Sequence, residues 1–446
     1  MNEVLPVLVV TVAGAVLAAA CSTGLSPREQ NWIVASFLMH VGFASAQVPL
    51  TLSFYGGSDM FLYFSYGEIL AQMMERDPLQ VIPEVTALLL QKPVRLPLLI
   101  VGEGTATGSM SALAAWSFYL VGSSKYASCI AFAMLSLCGK IAMYRVFRSN
   151  LDPAFRMPAM VAALFVPSFV FWSSGLIKEA VAVAGFGWCL FGLHLWIRKR
   201  RPVPGWAIMA AGTIPVVLVK AYILLPFALA GGSWYYWARS LDRGRVRIRP
   251  SYFMAAAVLG VGGIVLLGRY FPEYALDNFV ARTSDLQQLG RGYPQLRGGS
   301  HFTLSGEVPT TFVGQLMYSP AALLTSLFRP ALFEAHNLLM LANALESTVF
   351  AILFIRILFT RNLANVRGQI ANDSFLVFCV VFVIAFGIAV GLASSNLGTL
   401  SRYRCPLLPF FALLLLVLRK PLPARSTAST LSRAPEAVAG TARSHE

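Results

Sequence analysis

Charge is what this sequence has least of. Asp, Glu, Lys and Arg together supply 12% of its 446 residues, against roughly 25% in an average soluble domain. A chain that is 57% hydrophobic, with a mean hydropathy of +0.66, cannot cover a water-facing surface from so small a supply. That excludes a soluble enzyme, a disordered chain and a nucleic-acid-binding module. Acidic residues are the scarcer kind, with 20 Asp+Glu against 35 Lys+Arg and a formal net charge of +15. Cysteine is sparse too, and Cys21, Cys129, Cys138, Cys189, Cys379 and Cys405 all lie in or beside apolar runs. Their spacing suggests neither a metal site nor a disulfide framework. Leu17-Ala18-Ala19-Ala20-Cys21 loosely resembles a lipoprotein cleavage site, but the stretch before it carries Glu3 and no Lys or Arg. Without a basic n-region the expectation is a retained first helix. No internal repeat is visible, which disfavours many transporter architectures. No cofactor is identified, and a divalent metal has no support because no cluster of ligating carboxylates occurs.

What the chain does have is long apolar runs. A membrane-crossing helix needs roughly 20 apolar residues. On that ruler the candidates are 4–21, 32–53, 126–147, 157–173, 180–197, 206–219, 221–238, 252–268, 339–358, 374–393 and 405–418. The expected fold is an all-α, polytopic transmembrane helix bundle of about 11 spans. Residues 206–238 are apolar apart from Lys220, and Pro226 with Gly231-Gly232 favours a tight helical pair there. The stretch 109–123 is short and is expected at the interface. Basic clusters at Arg145/Arg148/Arg156, Arg198–Arg201, Arg239–Arg249, Arg361/Arg367 and Arg419-Lys420 then share one side. The positive-inside rule makes that side the cytoplasm, so the N-terminus lies outside and the C-terminus inside. Residues 1–422 form the integral membrane domain, and 423–446, rich in Ala, Ser, Arg and Pro, is expected to be a disordered cytoplasmic tail. The outer side carries two long connections, 54–125 and 269–338. The first holds amphipathic stretches at 61–74 and 81–90 that suit helices lying flat on the membrane.

Four polar constellations fall on that outer side. Tyr55-Gly56-Gly57-Ser58-Asp59 opens a helix that Ser58 or Asp59 can cap, and at about 100° per residue Asp59, Tyr63 and Tyr66 share a face. Phe171–Glu179 places Lys178 and Glu179 at the membrane boundary, where ionisable residues are expensive and face a cavity or a partner. Phe328–Asn337 contains Arg329, and Pro330 suits the first turn of a helix carrying Glu334 and Asn337; Glu346 follows at membrane depth, suited to an interhelical hydrogen bond. Asn396–Pro406 contains Arg402 and Arg404, which, like Lys220, break the positive-inside pattern. Arginine forks bind phosphate bidentately and lysine serves as a point charge. The implied ligand is an anionic group at the outer surface whose tail stays in lipid. Asp59 would then act as general base toward a hydroxyl acceptor.

The order of these parts resembles the membrane-embedded glycosyltransferases of the GT-C class, which use polyprenyl-phosphate-linked sugars outside the cytoplasmic membrane. In that class an Asp or Glu sits in the first extracytoplasmic loop, and Gly56-Gly57-Ser58-Asp59 matches that position. The departures are that Asp59 follows the second expected span and that a paired acidic motif is absent. The Phe-Trp-Ser-Ser-Gly-Leu-Ile-Lys-Glu, Phe-Arg-Pro and Asn-Leu-Gly-Thr…Arg-Tyr-Arg segments also resemble those of bacterial membrane proteins tied to envelope polysaccharides. The resemblance implies a bacterial inner-membrane enzyme whose partners are a polyprenyl-phosphate sugar, a glycan or lipid acceptor, and membrane lipid. Asp59 is the expected catalytic residue. Tyr63, Tyr66, Lys178, Glu179, Lys220, Arg329, Glu334, Asn337, Asn396, Arg402 and Arg404 are expected to bind substrate. A polysaccharide polymerase or ligase would instead use Arg291, Arg297 and His301 in the later loop. A non-enzymatic lipid-glycan transporter would place charges near mid-membrane on several spans.

Overall fold

A computed structural model of the protein describes residues 3–54, 58–243, 250–270, 278, 280 and 311–421. Every regular element among them is a helix. The first six are α1 (Val4–Ser22), α2 (Pro27–Pro49), α3 (Asp59–Arg76), α4 (Pro78–Leu89), α5 (Ala106–Val121) and α6 (Lys125–Asn150). Next come α7 (Arg156–Leu164), α8 (Pro167–Trp172), α9 (Lys178–Ile197), α10 (Pro202–Lys220), α11 (Leu224–Asp242) and α12 (Pro250–Tyr270). The remainder are α13 (Phe312–Met317), α14 (Ser319–Phe328), α15 (Leu338–Thr360), α16 (Leu363–Ala371), α17 (Ser374–Leu392), α18 (Leu397–Tyr403) and α19 (Leu408–Leu418).

Among the described residues, seven helical stretches are long and apolar enough to cross a membrane, or up to eight if the bent pair α18 and α19 counts as one span. The chain is a multi-pass membrane protein. Three of the expected spans are not counted separately there, each for a local cause. The 157–173 candidate is divided by Pro167, which opens α8 as a separate helix, because proline cannot donate the hydrogen bond a continuous helix needs. The 405–418 candidate supplies only the 11 residues of α19, set at 76° to α18. Residues Pro202–Asp242 form one apolar stretch by length, interrupted where Lys220 leaves helical geometry at φ −153° and ψ 57°. The stretch 109–123, expected at the interface, falls mostly within α5 (Ala106–Val121), whose buried residues run along most of its length. It packs with α3 and α4 around a small core of Leu70, Met74, Val85, Leu88 and Ala112.

Ring contacts give the chain direction of each helix. Phe186 meets Phe227 and His194 meets Trp234, so α9 and α11 run parallel. Gly192 faces Gly205 and Gly212 faces Gly185, where a Cβ on Gly192 or Gly212 would sit 2.6 Å from the opposing carbonyl oxygen; α9 and α10 are therefore antiparallel. The stretch 202–242 thus reverses at Lys220, as the paired reading expects. Such glycine contacts let helix backbones approach where no hydrophobic force drives association in lipid. Trp234 against Phe375 and Tyr222 against Phe386 set α17 antiparallel to α11. Phe186, Phe378, Phe382 and Phe410 stack at the centre of these helices.

The chain directions give the bundle two unlike ends. Arg148 pairs with Glu29, and Arg200 with Asp242, at the end where α6, α9 and α11 finish. The first residues of α3, α9 and α15 and the last of α10 and α17 gather at the other end. Gln91 Nε2 donates to the Leu218 carbonyl at 3.0 Å, which ties its exposed neighbour Lys92 to that second end. Single cysteines at Lys92 and Arg200, with the partly exposed Cys21 replaced, should react with an impermeant maleimide from opposite sides of a sealed vesicle. Labelling of both from one side contradicts this arrangement.

Candidate functional site

The second end holds a cavity of ≈ 320 Å³ between α2, α3, α8, α15 and α18, at the low end of the roughly 300–1,000 Å³ usual for small-ligand sites. Asp59 and Arg402 are its two ionisable lining residues among those described. Four amides, Gln47, Asn337, Asn343 and Asn396, share the wall with the hydroxyls of Thr51, Thr399 and Ser401. Trp172 contributes an aromatic face, and its indole N–H is buried with no partner among the described residues.

Helix starts place most of these groups. Ser58 caps α3 by accepting from the Phe61 N–H at 3.4 Å, so Asp59 is the first helical residue and its carboxylate is not used as the cap. Asn337 caps α15 through the Met340 N–H at 2.8 Å. Asn396 caps α18, accepting from Gly398 and Thr399. Each capping amide still has its NH₂ donors to offer the cavity.

Behind the wall lies a four-charge chain. Arg402 donates from Nη1 to Asp59 Oδ2 at 2.8 Å and from Nε to Glu179 Oε1 at 2.7 Å. Glu179 Oε1 also accepts from Lys220 Nζ at 2.6 Å. The two cations balance the two carboxylates, but exposure is unequal: 54% for the Asp59 side chain, 18% for Arg402, 3% for Lys220 and none for Glu179. Lys220 also sits over the Tyr403 ring, 4.6 Å from its centroid. It leaves α10 and enters this chain because the helix breaks there. Tyr63 lies under Asp59, fully buried. Burial, with the Asp59 charge beside it, pushes its phenol above the ordinary tyrosine range and keeps it protonated.

A second network braces α18 from within. Arg404, fully buried, donates to the Arg329 carbonyl at 2.6 Å and to Ser347 Oγ at 3.0 Å, with Glu346 at 3.9 Å. Glu346 accepts from both the N–H and the hydroxyl of Ser168, an interhelical bond of the kind its depth suggests. A third lies deeper. Lys140 Nζ is 3.0 Å from His40 Nε2 and 3.3 Å from the Phe169 carbonyl, and both side chains are fully buried. His40 Nδ1 is 2.7 Å from the Ser36 carbonyl, which can only accept, so Nδ1 carries the hydrogen.

Of the residues singled out from sequence, Asp59, Asn337, Asn396 and Arg402 line the cavity. Glu179 and Lys220 stand behind Arg402. The others point elsewhere. Tyr66 donates to the Leu99 carbonyl at 3.2 Å, and Lys178 to Thr107 Oγ1 at 3.0 Å. Arg329 is paired with Glu334. The helix expected from Pro330 through Asn337 is a single turn, Leu332–Glu334. The Glu334 carboxylate closes that turn on the Ala331 N–H at 2.8 Å. Burial opposes its ionisation, yet the bonds from Arg329 and Ala331 hold it below the usual carboxylate range. Arg291, Arg297 and His301 lie outside the described residues, as does the tail from 422. Sequence reasoning passed over Gln47 and Asn343, whose only signal is an amide inside an apolar run. Among the described residues no group of three or more His, Cys, Asp or Glu side chains is placed to hold a metal ion. No family model, curated protein or solved structure matches the chain.

Glu179→Gln should destabilise the bundle by about 3–5 kcal/mol, because Lys220 is left as a buried charge without its counter-ion. Adding Lys220→Met should recover part of that loss. Thermal unfolding of the detergent-solubilised protein reads both effects, and a Glu179→Gln melting temperature equal to wild type contradicts the assigned pairing.

Proposed function

We propose that the protein is a membrane glycosyltransferase that moves a sugar from a polyprenyl-phosphate donor to a hydroxyl of a glycan or lipid acceptor. The observation that carries this reading is the meeting of a carboxylate and an arginine, Asp59 and Arg402, 2.8 Å apart on the wall of one cavity. A phosphate-linked sugar needs a cation for its leaving group and an acceptor for the incoming hydroxyl's proton. Arg402 supplies the first and Asp59 the second. The rest of the wall suits a sugar, since amides and hydroxyls pair with ring hydroxyls and Trp172 offers an apolar face. The cavity volume suits a sugar unit better than a chain of them.

In the proposed reaction the acceptor oxygen attacks the anomeric carbon as its proton passes to Asp59. The bond from that carbon to the phosphate oxygen breaks, and Arg402 stabilises the charge left on the polyprenyl phosphate. One displacement inverts the anomeric centre. The protein then lies in a bacterial cytoplasmic membrane with the cavity at the extracytoplasmic end, the N-terminus outside and the C-terminus inside. The basic clusters at the opposite end support that orientation.

A lipid-glycan transporter is the second reading. Its support is Lys140 with His40, a buried cation and imidazole midway along α6 and α2, where polar groups often mark a translocation path.

Asp59→Asn keeps the shape but removes the proton acceptor, and should lower the rate by about 10²–10⁴-fold. Arg402→Ala should weaken donor binding, and His301→Ala should leave transfer intact. Transfer from radiolabelled lipid-linked sugar in membranes, at matched protein abundance, measures all three. A fully active Asp59→Asn beside an inactive His301→Ala moves the chemistry to the late loop. Movement of lipid-linked glycan without any transfer product supports the transporter.

A further inference from the structure

We infer that the Asp59–Arg402 ion pair is a resting latch, and that an incoming phosphate group exchanges for Asp59 on the Arg402 guanidinium. This deepens the reading above and rests on it for the identity of the phosphate as a lipid-linked one.

The two carboxylates on Arg402 are buried unequally. Glu179 has no exposed surface, and its Oε1 is shared between Lys220 and Arg402. Withdrawing it would strand buried charges, at a cost of several kcal/mol. Asp59 is different. Its side chain is 54% exposed at the first residue of α3, and the helix start is secured by Ser58 rather than by Asp59. With one partner this exposed, the pair lies nearer the roughly 0.2–1 kcal/mol of a surface ion pair than the cost of a buried one, and the carboxylate can turn to water. Arg402 therefore has one permanent partner and one exchangeable partner.

The charge count points the same way. Lys220, Glu179 and Arg402 together carry a net single positive charge, delivered to the cavity through the Arg402 Nη edge. In the resting protein Asp59 offsets that charge at the guanidinium, and Lys178, near enough to feel all four groups, adds a further cation that favours an incoming anion. Of the five guanidinium N–H donors, Nε serves Glu179 and one on Nη1 serves Asp59, so a phosphate oxygen arriving at the Nη edge meets the Asp59 charge already seated on that edge. Two anions cannot both occupy it without repulsion. Once phosphate is seated, both Asp59 oxygens are available to an acceptor hydroxyl. The latch thereby orders the site, with the phosphate-bearing ligand before the acceptor.

The consequence is counter-intuitive. Removing the competing charge should disable transfer yet tighten phosphate binding. The experiment is equilibrium binding of farnesyl phosphate, and separately of inorganic phosphate, to the full-length protein in nanodiscs with no acceptor present. Asp59→Asn should bind farnesyl phosphate about two- to fivefold tighter than wild type, the range set by the strength of an exposed pair. Arg402→Gln should lose at least tenfold. The melting temperature of Asp59→Asn should stay close to wild type, since its side chain is neither buried nor the cap. Equal tightening for inorganic phosphate assigns the exchange to the phosphate group alone, and tightening for farnesyl phosphate only assigns it to the lipid form. Unchanged or weaker binding of both ligands by Asp59→Asn overturns the latch. Because no turnover is involved, tightened binding in a protein that transfers no sugar keeps the latch and removes the glycosyltransferase reading instead.

Discussion

Arg402 is held between two carboxylates of very different burial, and one end of this protein is organised around that constraint. A guanidinium 18% exposed beside a lipid-embedded bundle needs a fixed counter-charge. Glu179 provides it from the first turn of α9, and Lys220 balances Glu179 from the last turn of α10. Each partner comes from a different helix, so the inner pairs fix the relative height of α9, α10 and α18. Removing Glu179 leaves Lys220 with neither water nor a carboxylate partner. The arrangement keeps the cavity wall in place.

The close helix contacts below make that geometry achievable. α9 and α10 approach through facing glycines, and α6 meets α9 where Gly139 and Gly187 leave no room for a Cβ on Gly187. With backbones this near, the ends of α9 and α10 are brought within reach of one lysine–glutamate contact. The aromatic stack of Phe186, Phe378, Phe382 and Phe410 fills the space where the helices diverge. Arg404 then ties the bend between α18 and α19 to the Arg329 carbonyl and Ser347. That bend turns Arg402 toward the cavity.

Much of this was legible in the sequence, and the misses have physical causes. Hydropathy located helices at each apolar run, because burying backbone in lipid demands continuous hydrogen bonding. Single long helices do not match every run, because Pro167 divides one and α19 is short. Lys220 and Arg402, which the sequence places against the charge rule, meet in one charge chain. What the pattern could not supply was that Glu179 accepts from both, since residues 41 and 223 positions away meet only through tertiary packing. Arg329 and Arg404 looked like ligand cations and are spent on Glu334 and on backbone. Gln47 and Asn343 were passed over because a single amide in an apolar helix has no periodicity to mark it.

The most direct test is a cryo-EM map of the full-length protein in nanodiscs with a polyprenyl phosphate bound. The account predicts phosphate density within hydrogen-bonding distance of the Arg402 guanidinium, with the Asp59 carboxylate turned away from it and Glu179 unmoved. Phosphate bound elsewhere, with the Asp59–Arg402 pair intact, would contradict it.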